Sequence, residues 1–176
     1  FSAMIVWLSA GPFLLYDTYK MDSLHFGYAQ IFVFGSYIIG TKANSYLINL
    51  YQLHEILWQG WFFCLLGSAY SLLYALFGPN NFYPILPGLM LITFGSGISL
   101  PIYSRLAIEQ SNEPMGAKVA MTTFSMTLFG VLATLSINLL FTNSLLSLAL
   151  IMGTFTLSGF LLFSISNYMK WISSES

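Results

Sequence analysis

Ser96 stands between Gly95 and Gly97, and a serine so little shielded by its neighbours invites a nucleophilic reading. That chemistry needs a base facing the hydroxyl. His25 and His54 both fall at the ends of apolar segments, so no base is expected at the serine's depth, and an intramembrane serine protease is excluded. The acids are distributed in the same way. Asp17, Asp22, Glu55, Glu109, Glu113 and Glu175 all lie at segment ends or in connections. None falls at mid-depth, where an ionisable residue marks a proton relay or a cation site. His, Asp, Glu and Cys nowhere have metal-ligand spacing, and Cys64 alone makes neither a disulfide framework nor a cysteine metal site. No metal, no cofactor and no enzymatic reaction is expected.

Reversible binding remains. Gln30, Phe34 and Tyr37 share one helical stripe, and Thr122, Ser125, Met126 and Phe129 share another. Gln30, Phe34, Tyr37, Thr122, Met126 and Phe129, with Phe94, Ser96 and a Trp7 set deeper than a belt tryptophan, form the candidate substrate-binding set. Aromatic and thioether side chains among neutral polar groups suit varied lipophilic ligands. An unpaired amide in hydrocarbon costs about 2–7 kcal/mol, so Gln30 must face protein, water or ligand. A hydrogen bond to a second helix would satisfy it as well as a substrate would.

The elements that carry these residues follow from composition. Hydrophobic residues are 57% and charged residues 6% of the 176, whereas a soluble domain has about 25% charged. The chain is therefore expected to be an all-α membrane protein, and the net charge of −1 with no basic run excludes nucleic acid as a partner. Six apolar segments are marked, at about 2–16, 25–42, 56–77, 84–104, 117–141 and 145–165, each near the ~20 residues of a spanning helix. Gly11 and Pro12 should kink the first. In the fourth, Gly95 and Gly97 let another backbone come close, Pro101 permits a kink, and Arg105 ends the span at a membrane surface. The connection from Asn44 to Glu55 reads as partly helical along the surface. Trp58 and Trp61 read as an interfacial belt, residues 78–81 as a tight turn, and Tyr168, Lys170 and Trp171 as a terminal anchor. With the carboxyl end cytoplasmic, Lys42, Arg105, Lys118 and Lys170 face inward and Lys20 faces out, in keeping with the positive-inside rule. A start at Phe1, already inside an apolar segment and without a charged leader region, reads as a piece of a longer protein.

The order of residues resembles the MdfA-type multidrug:proton antiporters of the major facilitator superfamily. The resemblance is carried by Ser9-Ala10-Gly11-Pro12, by residues 25–35 from His25 through Gln30 and Phe34 to Gly35, and by Gly40. Phe94-Gly95-Ser96-Gly97, Arg105-Leu106, Gly116 and Ala120-Met121 continue it. Members have twelve helices in two six-helix halves, each a 3+3 inverted repeat. The resemblance implies that this chain is the carboxyl-terminal half, partnered by the N-terminal half of the same protein in a bacterial inner membrane. It implies export of lipophilic small molecules in exchange for protons by alternating access, with the coupling acids in the other half. Gln30, Phe34, Tyr37, Thr122, Met126 and Phe129 would be wall positions. The connection after Gly40 departs from the family in lacking its basic residues, with only Lys42 and then His54-Glu55. Two further readings stay open: a membrane scaffold or assembly subunit without transport, and a superfamily exporter of a metabolite or siderophore.

Overall fold

The computed structural model describes residues 1–79, 81–109 and 114–175, with side chains up to Asn167. Asn80, Glu113 and the side chains of Tyr168, Lys170, Trp171 and Glu175 lie outside the described residues. Six α-helices make up the described chain: α1 (Ser2–Phe13), α2 (Ser23–Leu47), α3 (Leu53–Phe77), α4 (Leu86–Glu109), α5 (Met115–Leu140) and α6 (Leu145–Glu175). Four are long and apolar enough to cross a membrane: α3, α4 with its entry turn from Tyr83, α5, and α6 to Asn167. α1 is only 12 residues long before it widens into a π-helical turn at Leu14–Thr18. The widening directly follows Pro12, whose missing N–H breaks the regular ladder.

Several boundaries differ from the sequence expectation for one reason: polar residues do not end a helix when they bond back onto it. α2 runs on past Lys42 to Leu47. Thr41 donates to the Tyr37 carbonyl at 3.1 Å and Ser45 to the Thr41 carbonyl at 3.2 Å, so each hydroxyl is satisfied within the helix. The surface connection shrinks accordingly to residues 48–52. α3 opens at Leu53, where Glu55 accepts from the Gln52 amide at 3.1 Å. α4 continues beyond Arg105 to Glu109, and these two form an exposed i,i+4 ion pair at 2.6 Å. α6 likewise extends past 165 to Glu175.

α4 is the axis of the bundle. It packs extensively on both α2 and α3, while α1 leans on α5 and α6. Glycines make both approaches possible. A β-carbon on Gly97 would strike the Tyr37 carbonyl oxygen and lie 3.0 Å from the Thr41 nitrogen of α2. One on Gly95 would lie 2.5 Å from the Gly60 carbonyl oxygen and 2.9 Å from the Cys64 nitrogen of α3. These are backbone atoms, which cannot swing aside. Gly40 and Gly67 likewise meet backbone oxygens, of Phe94 and Gly88, while Gly60 and Gly88 face the Ser99 and Ser71 hydroxyls first. Between them the buried Thr93 hydroxyl donates to the Val33 carbonyl at 2.9 Å, an interhelical bond from α4 to α2.

Adding one methyl group at Gly97 should therefore separate two helices. We expect Gly97→Ala to cost about 1–3 kcal/mol by overpacking. Gly35→Ala, with nothing within 4 Å of its added carbon, should leave stability unchanged or slightly raised. Thermal unfolding of the two variants in detergent, followed by size-exclusion recovery, measures the difference.

Candidate ligand cleft and helix stripe

Because α5 touches α4 sparingly, a cleft of about 850 Å³ opens between α3, α4, α5 and α6, with the first residues of α1 as its roof. Ser96, Thr122, Met126 and Phe129 line it, and Trp61, Cys64 and Tyr103 join them. Its hydroxyls are mostly spent locally. Ser96 donates to the Ile92 carbonyl at 2.8 Å, Ser99 to Gly95 at 3.0 Å, Thr122 to Lys118 at 2.9 Å and Ser125 to Met121 at 2.9 Å. The wall is left with weak acceptors and no strong donor row. Ser96 has the Cys64 sulfur at 3.8 Å and no base beside it. Lys118 is the one cation among the described lining residues, and its ammonium donates to the Ile108 carbonyl at 2.8 Å, tying the start of α5 to the end of α4.

The other sequence candidates sit elsewhere. Trp7 is 1% exposed, stacked on Phe82 and tilted against Phe26 at ring centroid distances of 5.9 and 5.8 Å. Its indole N–H donates to the Gln30 side-chain oxygen at 3.2 Å, which gives the amide an interhelical partner on α1. Gly11 allows this, since a β-carbon there would lie 3.0 Å from the Trp7 ring. Gln30 and Tyr37 are half-buried and Phe34 is 37% exposed, so the α2 stripe runs along the border between the buried and the open face of that helix. Phe94 lies outside the cleft lining and packs edge-on to Phe63 at 5.0 Å. Pro101 lies inside α4, which continues through it.

Asp17, Asp22, Glu55 and Glu109 are all exposed. Asp22 caps α2, accepting from the Ser23 amide at 2.7 Å. Among the described residues no group of His, Cys, Asp and Glu could hold a metal ion.

Trp61, Tyr103 and Cys64 were not singled out as cleft residues by the sequence. Trp61 carries the signature of an interfacial belt, yet it points into the bundle. Its indole N–H donates to the Tyr103 hydroxyl at 2.8 Å, and its ring stacks on Phe163 at 6.0 Å. Trp58 keeps the more peripheral position, 42% exposed, donating to His54 Nε2 at 2.8 Å.

Helices of this length and composition, with every described acid at the exterior, are those of a multi-pass membrane protein. The chain is similar to bacterial drug-resistance proteins. It is 28% identical over 117 residues to the chloramphenicol resistance protein CraA of Acinetobacter baumannii, covering 66% of this chain and 28% of that one. It is 28% identical over 113 residues to the multidrug resistance protein MdtM of Salmonella typhimurium, covering 64% of this chain and 27% of that one. It is 24% identical over 113 residues to MdtM of Escherichia coli, covering 64% and 28%. The matched stretch thus spans under a third of each relative's length. No family model matches the chain.

The Trp7–Gln30 bond ties α1 to α2. Trp7→Phe leaves the amide oxygen without its donor, and Gln30→Leu leaves the indole N–H without its acceptor. Each should cost about 1–3 kcal/mol, and the double variant less than their sum. Unfolding midpoints of the two singles and the double, measured in the complete gene product, read out the coupling.

Proposed function

We propose that the chain is the carboxyl-terminal six-helix half of a proton-coupled exporter of lipophilic drugs, of the MdfA type within the major facilitator superfamily. The likeness of some two-thirds of the chain to proteins named for chloramphenicol and multidrug resistance carries this reading. The arrangement supports it. α1, though short, packs against α5 and α6, and α2 lies along α4, an arrangement compatible with a six-span half. The half lies in a bacterial inner membrane with its carboxyl end cytoplasmic. A preceding N-terminal half supplies the acids that exchange protons, because the described acids here are exposed.

The drug-facing wall on this half is the stripe Gln30, Phe34 and Tyr37 of α2. Trp7 holds the Gln30 amide in place from behind and leaves its NH₂ group for a ligand. Phe34 supplies the exposed ring. Ser96, Thr122 and Met126 belong to the cleft and not to that stripe. Phe94 supports the wall from within α4 by packing on Phe63. Pro101 gives α4 a bending point for alternating access, and Gly11 with Pro12 gives one to α1.

The complete gene expressed in a drug-sensitive bacterial host tests the reading. Resistance to several lipophilic compounds, with dye efflux abolished by a protonophore, is the expected result. Absence of both at normal protein levels contradicts it. In the same host Gln30→Leu should shift the ranking of compounds by several-fold once efflux is normalised to the amount of protein. An unchanged profile across a broad panel removes Gln30 from the wall.

A further inference from the structure

The connection between α3 and α4 delivers an aromatic ring into the core. Phe82 is 1% exposed, although Asn81 and Tyr83 on either side of it are exposed. Two tyrosines one turn apart on α3 hold the backbone around it. The Tyr74 hydroxyl lies 2.8 Å from the Pro79 carbonyl oxygen and 3.1 Å from that of Asn81. The Tyr70 hydroxyl donates to the Pro84 carbonyl at 3.0 Å. The chain is thus pinned before and after Phe82, whose side chain enters the bundle.

There the ring meets Trp7. The two are stacked, with centroids 5.9 Å apart and planes 14° from parallel, and Tyr19 tilts against Phe82 at 6.2 Å. Gly11 and Phe26 also abut the indole, but both belong to helices. Phe82 is the neighbour that a connection carries. The indole N–H ends this line of contacts by donating to Gln30 Oε1. Fixing that oxygen fixes where the NH₂ group points, because both lie on one planar amide. Removing the Phe82 ring would open a void against the indole, and surrounding side chains fill such a void only in part. The indole can then turn, its N–H leaves the amide oxygen, and the NH₂ group loses its set direction.

We propose that Phe82 is a positioning residue for drug selection: from the α3–α4 connection it sets, through Trp7, the direction in which Gln30 offers its NH₂ group. Tyr74 and Tyr70 serve the same end by holding the connection. This rests on the reading that Gln30 belongs to the drug-facing wall.

Two readouts on the complete gene product test it. In protein labelled at tryptophan nitrogen for NMR in detergent, the indole resonance missing from Trp7→Phe belongs to Trp7. Phe82→Ala should move that resonance toward the position it takes in Gln30→Leu. In the drug-sensitive host, with efflux normalised to protein, Phe82→Ala should shift the ranking of compounds several-fold in the same sense as Gln30→Leu. Added to Gln30→Leu, it should change the ranking no further. Tyr74→Phe, which removes only the clamping hydroxyl, should give a smaller shift of the same kind. Ile56→Ala, buried in a separate cluster of α3, α4 and α6, controls for lost stability and should leave the ranking alone. Where Phe82→Ala does not fold, Phe82→Leu keeps an apolar side chain and removes the stacking face. An indole resonance at its wild-type position, an unchanged ranking, or a shift that adds independently to that of Gln30→Leu overturns the proposal. A wild type without efflux discards the exporter reading and drug selection with it. An unmoved indole beside normal efflux discards the Phe82 link alone.

Discussion

Two helix backbones press on α4 from opposite sides, and neither contact tolerates a β-carbon. Gly97 meets α2 at Tyr37 and Thr41, and Gly95 meets α3 at Gly60 and Cys64. In lipid there is little hydrophobic gain in bringing helices together, so close van der Waals contact and interhelical hydrogen bonds must hold the bundle. α4 supplies both, through its glycines and through the Thr93 bond to Val33. Other features depend on this sandwich. It turns Ser96 to the cleft, lodges Phe94 against Phe63, and fixes the angle at which α2 presents Gln30, Phe34 and Tyr37.

The second constraint is electrical. Polar groups inside the bundle are neutral and mostly satisfied by their own helix, as with Ser96 on Ile92 and Thr156 on Met152. Described carboxylates are exposed, where they cap or pair at little cost. Such an interior can hold apolar molecules with a few directional contacts, and among the described residues it buries no carboxylate or histidine. Under the proposed exporter reading, proton exchange is assigned to residues outside this chain.

Legibility in the sequence was uneven, for physical reasons. Helical class and element order follow from apolar runs near the membrane length, but helix ends were less visible. Asn44 and Ser45 look like a connection because they are polar, and the Ser45 hydroxyl instead bonds inward to Thr41 as α2 runs on to Leu47. The glycines of α4 stand out as residues. Their partners Gly40, Gly60 and Gly67 are scattered over two other helices, and only tertiary packing pairs them. Gln30 announces its need for a partner, but Trp7 is 23 residues away on another helix and nothing local connects them. Trp61 follows two polar residues, His54 and Glu55, within two turns and so resembles a belt residue, while Phe160 and Phe163 of α6 draw it inward. The cleft depends on how sparingly α4 and α5 touch, which no local pattern encodes.

The claim that this half binds without coupling has one direct measurement. Asp17, Asp22, Glu55, Glu109, Glu113 and Glu175 are replaced together by their amides in the complete gene product, which is then reconstituted in vesicles carrying an imposed pH gradient. Drug accumulation that still follows the gradient is the outcome expected from an acid-free wall. Accumulation that no longer responds to the gradient, with the protein folded and drug still bound, would place the coupling acids in this half and contradict the account.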